Sequence, residues 1–389
     1  MKRARSGIVG AGVWLAIALF TSAWLIAGGI GRPSDAFATP HPDEPWPAEA
    51  SRARIFRDDA LRRASVWHPV SAPVDPSVNP PDPTRALSEA RVECRFLAHG
   101  ADGTSPKFDC VLRNGDIVKV KYGRNPEIQG EVAASRLLTA VGFGADSNYL
   151  IEQLRCYGCP RFPFETTLLL SFAGIGNLLE HTGEHLYTDF RWVVVERRFG
   201  GRPIVADGQK GWEWSELPNE STTGGASRAE LDAVRLMAVF LAHWDNKAEN
   251  QRLVCLSEQE GDSYQPCPQP FAIIQDLGST FGPYKVDLSG WRGVPIWSNP
   301  TQCLVSLKRL PYNGATFDDT RISEAGREHL AKYLGALTPQ QIEGLFRGAR
   351  FAEYEHGRWL GFGIDDVPGW VGTFREKVSQ IVDRNPCPA

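Results

Sequence analysis

Three side chains in the second half of the chain carry hard oxygen donors where the backbone is expected to turn. They are Asp245 and Asn250 in HWDNKAENQ, residues 243–251, and Asp276 in FAIIQDLGSTFG. HWDNKAENQ follows directly on the apolar LMAVFLA and precedes LVCL, a short strand-like run, while FAIIQ is a strand that runs into Asp276-Leu277-Gly278. Two carboxylates and an amide at helix and strand ends suit divalent cations bound to phosphate, which need oxygen ligands and open positions. The plain alternatives are a helix C-terminus with polar caps for the first motif and a turn aspartate for the second.

HWDNKAENQRLV resembles the protein-kinase catalytic loop, H-R-D-x-K-x-x-N followed by an apolar strand, with the spacing of five from Asp245 to Asn250 and the lysine two residues after the aspartate. Asp276-Leu277-Gly278 then resembles the metal-binding D-F-G. The resemblance implies Asp245 as the base that accepts the attacking hydroxyl's proton and Lys247 as the neutraliser of charge on the transferring phosphate. It implies Asn250 and Asp276 as ligands of Mg²⁺ or Mn²⁺, and ATP as the nucleotide. VKVKYG resembles the strand that ends in the kinase V-A-I-K lysine. Strand alternation puts Lys119 and Lys121 on one face, and Lys121, at the strand's end, is the preferred of the two. Glu131, at the start of the next helix, stands where the lysine's ion-pair partner belongs. Glu196 ends WVVVE where kinases turn through the segment whose backbone hydrogen-bonds adenine. HGADGTSPKF would be the phosphate-covering loop, although it has only Gly100 and Gly103 in place of G-x-G-x-x-G.

There are departures from ordinary protein kinases. Trp244 stands in place of the arginine that answers a phosphorylated activation loop, no A-P-E follows DLG, and GWRGVPIWSNP occupies that region. The stretch between Asn250 and Asp276 is long and holds Cys255 and Cys267. The combination is more similar to atypical members of the superfamily: secretory-pathway kinases acting on exported proteins or glycans, the spore-coat CotH family and HipA-like kinases.

Two readings from other classes compete. His181, Glu184 and His185 fit H-x-x-E-H, the inverted zinc-peptidase motif, but Gly174, Gly176 and Gly183 weaken the helix that motif requires by about 1 kcal/mol each. A pseudokinase that binds or scaffolds without catalysis keeps the fold and drops the chemistry. Transfer of AMP instead of phosphate is a further variant within the same fold.

These residues need elements to hold them. VECRFL, FDCVLRNG and DIVKVKYG, separated by turn-forming text, predict a three-stranded antiparallel meander. GEVAASRLLTAVGFG predicts a helix, and YLIEQLR and FRWVVVERRFG predict strands. SRAELDAVRLMAVFLAH predicts a helix capped by Ser227, with Glu230 completing a capping box. ISEAGREHLAKYLGAL, TPQQIEGLFRGARF and PGWVGTFREKVSQIV predict three more. The expected fold is α+β, a bilobal protein-kinase-like arrangement with a β-rich N-lobe over residues 87–199 and a mainly helical C-lobe over 200–389.

Ahead of these lies a leader. Residues 1–38 have a basic start, an apolar run over residues 7–30 and a terminal Ala-Phe-Ala, the features of an export signal or an uncleaved membrane anchor. Residues 39–86 are proline-rich, with one short helical island at ARIFRDDALRRAS, and predict a semi-extended spacer. The chain is therefore expected outside the cytoplasm: periplasmic, secreted or membrane-anchored. Eight cysteines, an even number, agree with disulfides; pairing by sequence nearness joins 94 with 110, 156 with 159, 255 with 267 and 303 with 387, one of 105 connectivities. Cys156-Tyr-Gly-Cys159 has no second Cys-x2-Cys to complete a zinc ribbon, so a structural disulfide is expected there. At 389 residues and 42% hydrophobic, the chain can bury a full core. With a net charge of −4 it has no basic surplus for nucleic acid; the resemblance to secretory-pathway kinases implies an exported protein or glycan as the acceptor.

Overall fold

Strand alternation sets up the face on which the candidate lysines lie. In the computed structural model, β1 (Val92–Leu97), β2 (Lys107–Leu112) and β3 (Ile117–Lys121) form the expected antiparallel meander, with Asn114-Gly115 in the β2–β3 turn. Gly115 takes a φ of +88°, a conformation that glycine adopts without steric cost. β4 (Ser147–Tyr157) and β5 (Tyr187–Arg197) extend the sheet, and β4 pairs in parallel with β1, closing a barrel in the order β1-β2-β3-β5-β4. Closure removes the free edge a meander would leave. Val118, Val120, Val193 and Val195 point into the barrel core, whereas Val194, one residue out of phase, joins the larger core outside it. Lys119, Lys121 and Glu196 share Val194's face, because side chains of period two alternate across the strand.

A helix covers that face. α2 (Pro126–Ala140) is capped by Asn125, whose side chain accepts the Glu127 N–H, and Pro126 supplies the preset φ of a first turn. This entry is earlier than the expected start, so Glu131 lies in the second turn and does not open the helix. Ile128, Val132, Leu137 and Leu138 of α2 pack into the larger core, which also takes in the helices of the second half.

That half contains α4 (Arg228–Phe240), with the predicted Ser227/Glu230 capping box, α6 (Glu324–Gly335), α7 (Pro339–Gly348) and α8 (Val367–Val382). Two further helices, α3 (Pro163–Phe172) and α5 (Leu288–Gly293), lack a long apolar period and had no sequence expectation. Phe240, Phe281, Trp291, Phe346, Trp370 and Phe374 form a fully buried aromatic cluster at the centre of the helical part. The architecture is thus a mixture of α and β, with strands concentrated in the first half and helices in the second.

The structure describes residues 47–388 except 99–102, 104, 124, 174–184, 210, 218–223, 258–264, 309–314 and 354–366. They belong to the unit Pro47–Ala389; the other unit, Met1–Trp46, lies outside them, as does the apolar run over residues 7–30. Among the described residues no helix is long and apolar enough to cross a membrane.

The spacer reading of residues 39–86 needs correction from Pro47 onward. α1 (Pro47–Arg63) is longer than the expected island and buries Ala53, Ala60 and Leu61. The segment after it is strapped down: Ser65 N–H donates to Pro270 (3.0 Å), His68 N–H to Gly142 (2.8 Å) and Val74 N–H to Ala140 (3.2 Å). The Asn79 side chain holds both the N–H and the carbonyl of Leu150. Proline removes its own N–H, but the residues between the prolines still have donors, and these are spent on the domain.

All four nearest-neighbour disulfides are formed: Cys94–Cys110, Cys156–Cys159, Cys255–Cys267 and Cys303–Cys387. Four such bonds are consistent with an extracytoplasmic location.

Candidate active site

Lys121 ends β3 and turns toward α2, where its ammonium forms an ion pair with the Glu131 carboxylate. Lys121 and Glu131 are 3% and 1% exposed, so water screens this pair very little. Lys119, two residues earlier on the same face, reaches Glu196 instead at 2.9 Å, and Glu196 also lies 3.6 Å from Lys121. The lysine left open by alternation is therefore resolved: Lys121, not Lys119, meets Glu131. Glu196 brings its side chain, and not only its backbone, into the cluster. Burial disfavours the Lys121 ammonium, but Glu131, Glu196 and Asp276 outweigh it and hold its pKa well above the ordinary lysine value. Burial pushes the Glu131 carboxyl up, with Lys121 pulling against it.

The loop motif is built by the end of α4. Ala242 takes a φ of +53°, a left-handed residue just past the helix, and His243 N–H turns back to the Ala238 carbonyl at 2.9 Å. His243 is wholly buried, and burial lowers its pKa to about 4, so it is neutral and packs as part of the helix end. The chain then runs out through Asp245 and Asn246. The Asn246 side-chain oxygen accepts from the N–H and hydroxyl of Thr316 at 2.8 and 2.9 Å, pinning the loop to the helical part. A 3-10 turn at Ala248–Asn250 leads into β7 (Gln251–Cys255) behind the short β6 (Arg202–Pro203). Gly211 lies so close to the Ala248 carbonyl that a Cβ there would collide with it.

β7 pairs antiparallel with β8 (Pro270–Ile274), Gln251 opposite Ile274, and one step further Gln275 N–H donates to the Asn250 carbonyl at 3.1 Å. This register brings Asn250 and Asp276 to adjacent strand ends despite the long stretch between them. The Cys255–Cys267 disulfide closes that stretch at its base. Asn250 donates its amide N–H to the Asp245 carbonyl at 2.7 Å, so its amide oxygen is the atom that could face a cation. The Asp245 carboxylate lies 3.6 Å from the Lys247 ammonium. Burial raises its pKa, Lys247 opposes this, and the Asp276 charge reinforces it.

Asp276 has a φ of +51°, uncommon outside glycine and more tolerable for aspartate than for most residues. Its carboxylate is half exposed and lies 3.4 Å from the Lys121 ammonium. Burial works against its charge, but Lys121, Lys119 and Lys107 outweigh it and keep the pKa below the usual carboxylate value. A pair of glycines makes this approach feasible. A Cβ on Gly278 would lie 2.8 Å from the Glu127 Cβ, and one on Gly130 would lie 3.1 Å from the Gly278 carbonyl, so α2 and the Asp276 turn meet backbone to backbone. Neither this pair nor Gly211 was marked by the sequence, because each touches an element distant along the chain.

The segment after Asp276 is fastened in three places. Trp244 donates its indole N–H to the Tyr284 carbonyl at 2.7 Å, Phe281 N–H donates to Leu241 at 2.7 Å, and Lys285 pairs with Glu127. GWRGVPIWSNP supplies the last four residues of α5, which is capped by Asp287, and the buried Trp291 and Trp297.

The structure thus brings Lys119, Lys121, Glu131, Glu196 and Asp276 into one cluster, and sets Asp245, Lys247 and Asn250 on the neighbouring loop. Of the rival motif, His181 and Glu184 lie outside the described residues and His185 is exposed. The sulfur atoms of Cys94, Cys110 and Cys156 lie within 4.8 Å of one another, but all three are committed to disulfides and none is a thiolate ligand.

No family model matches the chain, and no curated protein does. Among solved structures it is similar to the "crystal structure of the Golgi casein kinase with Mn/ADP bound", with 10% identity over 85% of this chain and 75% of that one and a TM-score of 0.30. At that level of likeness, the functional reading has to rest on the side chains themselves.

Proposed function

We propose that the chain is an exported or membrane-anchored kinase-like phosphotransferase, moving the γ-phosphate of ATP to a hydroxyl of a protein or glycan acceptor. One observation carries this reading. The buried Lys121–Glu131 pair, drawn from a strand and a helix of the first half, lies 3.4 Å from an aspartate whose strand neighbour is the Asp245–Asn250 loop. An ordinary stabilising ion pair would not need an exposed carboxylate in a left-handed conformation beside it.

In this reading the strand-rich and helix-rich parts are the two lobes of a bilobal fold, divided near residue 199, and residues 1–38 are the signal or anchor. Lys121 is held charged and oriented by Glu131 to meet the nucleotide phosphates. Asp245, its pKa raised by burial, accepts the proton of the acceptor hydroxyl. Lys247 offsets charge as the phosphate moves, and Glu196 sits at the bend whose backbone would meet the adenine. Asn250 and Asp276, an amide oxygen and an ionised carboxylate, are the donors that would hold Mg²⁺ or Mn²⁺. When bound, the ion neutralises charge on the phosphates.

The test is incubation with γ-labelled ATP and Mn²⁺ beside Asp276→Ala. Labelling by the unaltered protein, at least a hundredfold reduced in the variant, is expected. Equal labelling by both, or by neither, counts against the mechanism. Nucleotide-dependent thermal stabilisation without labelling would favour a pseudokinase binding module.

A further inference from the structure

Lys107 opens β2, immediately after the β1–β2 loop, and lies directly opposite Lys121 in the β2–β3 register. Alternation puts it on the same face as Lys119 and Lys121, since Phe108 and Cys110 point into the barrel. The three ammonium groups are not equally provided for. Lys121 has Glu131, and Lys119 has Glu196, but among the described residues no carboxylate lies within 4.0 Å of the Lys107 ammonium. Burial, together with the charges of Lys121 and Lys119, pushes its pKa below the ordinary lysine value, and the more distant Asp276 and Glu196 carboxylates offset this only in part. Like charges opposite one another across a strand pair destabilise the sheet, so without an anion this residue is a liability.

Gly103, a few residues before Lys107, makes room for the ammonium. Gly103 has a φ of +82°, and a Cβ there would lie 2.9 Å from the Lys107 Nζ. Glycine is thus needed at that position both for the backbone turn and for the approach of the lysine. The sequence offers no G-x-G-x-x-G whose N–H groups could wrap the phosphates. We propose that Lys107, beneath Gly103, takes the phosphate tail of the nucleotide through its side-chain charge. A lysine does this as a point charge, without the directional demands of a backbone cradle. This rests on the phosphotransferase reading and extends it to a residue that neither motif nor spacing marked. The preferred ligand is then one with several phosphates, and the lysine contributes little to a nucleoside without them.

The experiment compares Lys107→Met and Lys107→Arg with the unaltered full-length protein in detergent. Binding of ATP, AMP, adenosine and inorganic triphosphate is measured by calorimetry in the presence of Mn²⁺, and melting is recorded without ligand. Lys107→Met is expected to melt no lower than the unaltered protein, because it relieves repulsion. It should bind ATP and triphosphate at least tenfold more weakly, and adenosine within twofold. Lys107→Arg should keep most of the ATP affinity. Unchanged ATP binding by Lys107→Met overturns the proposal alone, as does an equal loss for ATP and adenosine. Triphosphate binding without any preference for ATP would mark a general polyanion site and overturn it as a nucleotide contact. If the unaltered protein binds no nucleotide, the phosphotransferase reading falls together with it.

Discussion

Removing Lys121 tests the centre of the site without any assumption about substrate. Lys121 and Glu131 are 3% and 1% exposed, so their interaction needs no discount for solvent screening. Lys121→Met should leave Glu131 as a buried carboxyl with no cation within 4.0 Å among the described residues, because Lys119 is engaged by Glu196. Breaking a buried pair by deleting one member costs about 3–5 kcal/mol. Lys121→Met combined with Glu131→Gln should recover part of this, with a coupling energy of about 1–3 kcal/mol. The single variant should also depend on pH in a defined direction. Burial, with Glu196 and Asp276 nearby, raises the Glu131 pKa in the folded state, and Lys121 is the group that lowers it. Without Lys121 the folded state binds a proton that the unfolded state releases near pH 4.3. Stability then falls as pH rises above about 4, and the single variant should be least impaired in acid. Denaturant unfolding at pH 5 and pH 8, followed by tryptophan fluorescence with disulfides intact, measures all three quantities. Additive single effects, or a deficit independent of pH, would refute a buried pair that shares one charge balance.

Three further outcomes follow from particular contacts. Trp244→Phe keeps the ring and loses the donor to the Tyr284 carbonyl, so it should cost about 1 kcal/mol and speed amide exchange in residues 284–286; unchanged exchange there would show that the indole pins nothing. Lys377 is 1% exposed, donates to the Val294 carbonyl at 2.6 Å, and has its pKa lowered by burial to about 8 from the ordinary 10.5. The unfolded state therefore binds more protons between those values, so stability should rise from pH 8 to about 10.5, and Lys377→Met should flatten that rise in a pH series of melting temperatures. Of the disulfides, Cys303–Cys387 closes 84 residues and Cys255–Cys267 closes 12, so loop entropy gives losses of about 4.5 and 2.8 kcal/mol when each is replaced by a serine pair. A larger loss at Cys255–Cys267 would mean that this bond acts chiefly by holding β7 to β8.

Much of the candidate site was legible because its signals are local. A capping box, an apolar helix and a polar loop lie within 25 residues from Ser227 to Gln251, and each is fixed by its own neighbours. The strands of the first half could be read from period-two alternation, which also placed Lys119 and Lys121 on one face. The choice between them was not local, since it depends on where α2 crosses the sheet, and that is set by Asn125 and Pro126 a turn before the expected start. The parallel β1–β4 pair that closes the barrel joins strands separated by 49 residues and leaves no mark in either. The strap over residues 65–79 was misread for a related reason: proline-rich composition describes a stiff chain, and stiffness does not decide whether its remaining donors face water or protein.

The charges of the cluster also account for why Glu196 is acidic, a requirement that a purely backbone role for that residue would not impose. Lys119 and Glu196 balance each other at 2.9 Å, as Lys121 and Glu131 do. Among the described residues two charges then remain without a dedicated partner: the half-exposed carboxylate of Asp276 and the ammonium of Lys107. Were Glu196 neutral, Lys119 would turn its attraction on Asp276, which already has Lys121 at 3.4 Å, and that open carboxylate would be spent on lysines. With Glu196 in place the cluster keeps one negative and one positive group in reserve, which the proposed phosphotransferase function would use for a divalent cation and for the polyanion that such a cation accompanies. Glu196→Gln, which keeps the backbone and removes only the counter-charge of Lys119, should therefore weaken Mn²⁺-dependent nucleotide binding; calorimetric affinities equal to those of the unaltered protein would show that Lys119 needs no counter-charge.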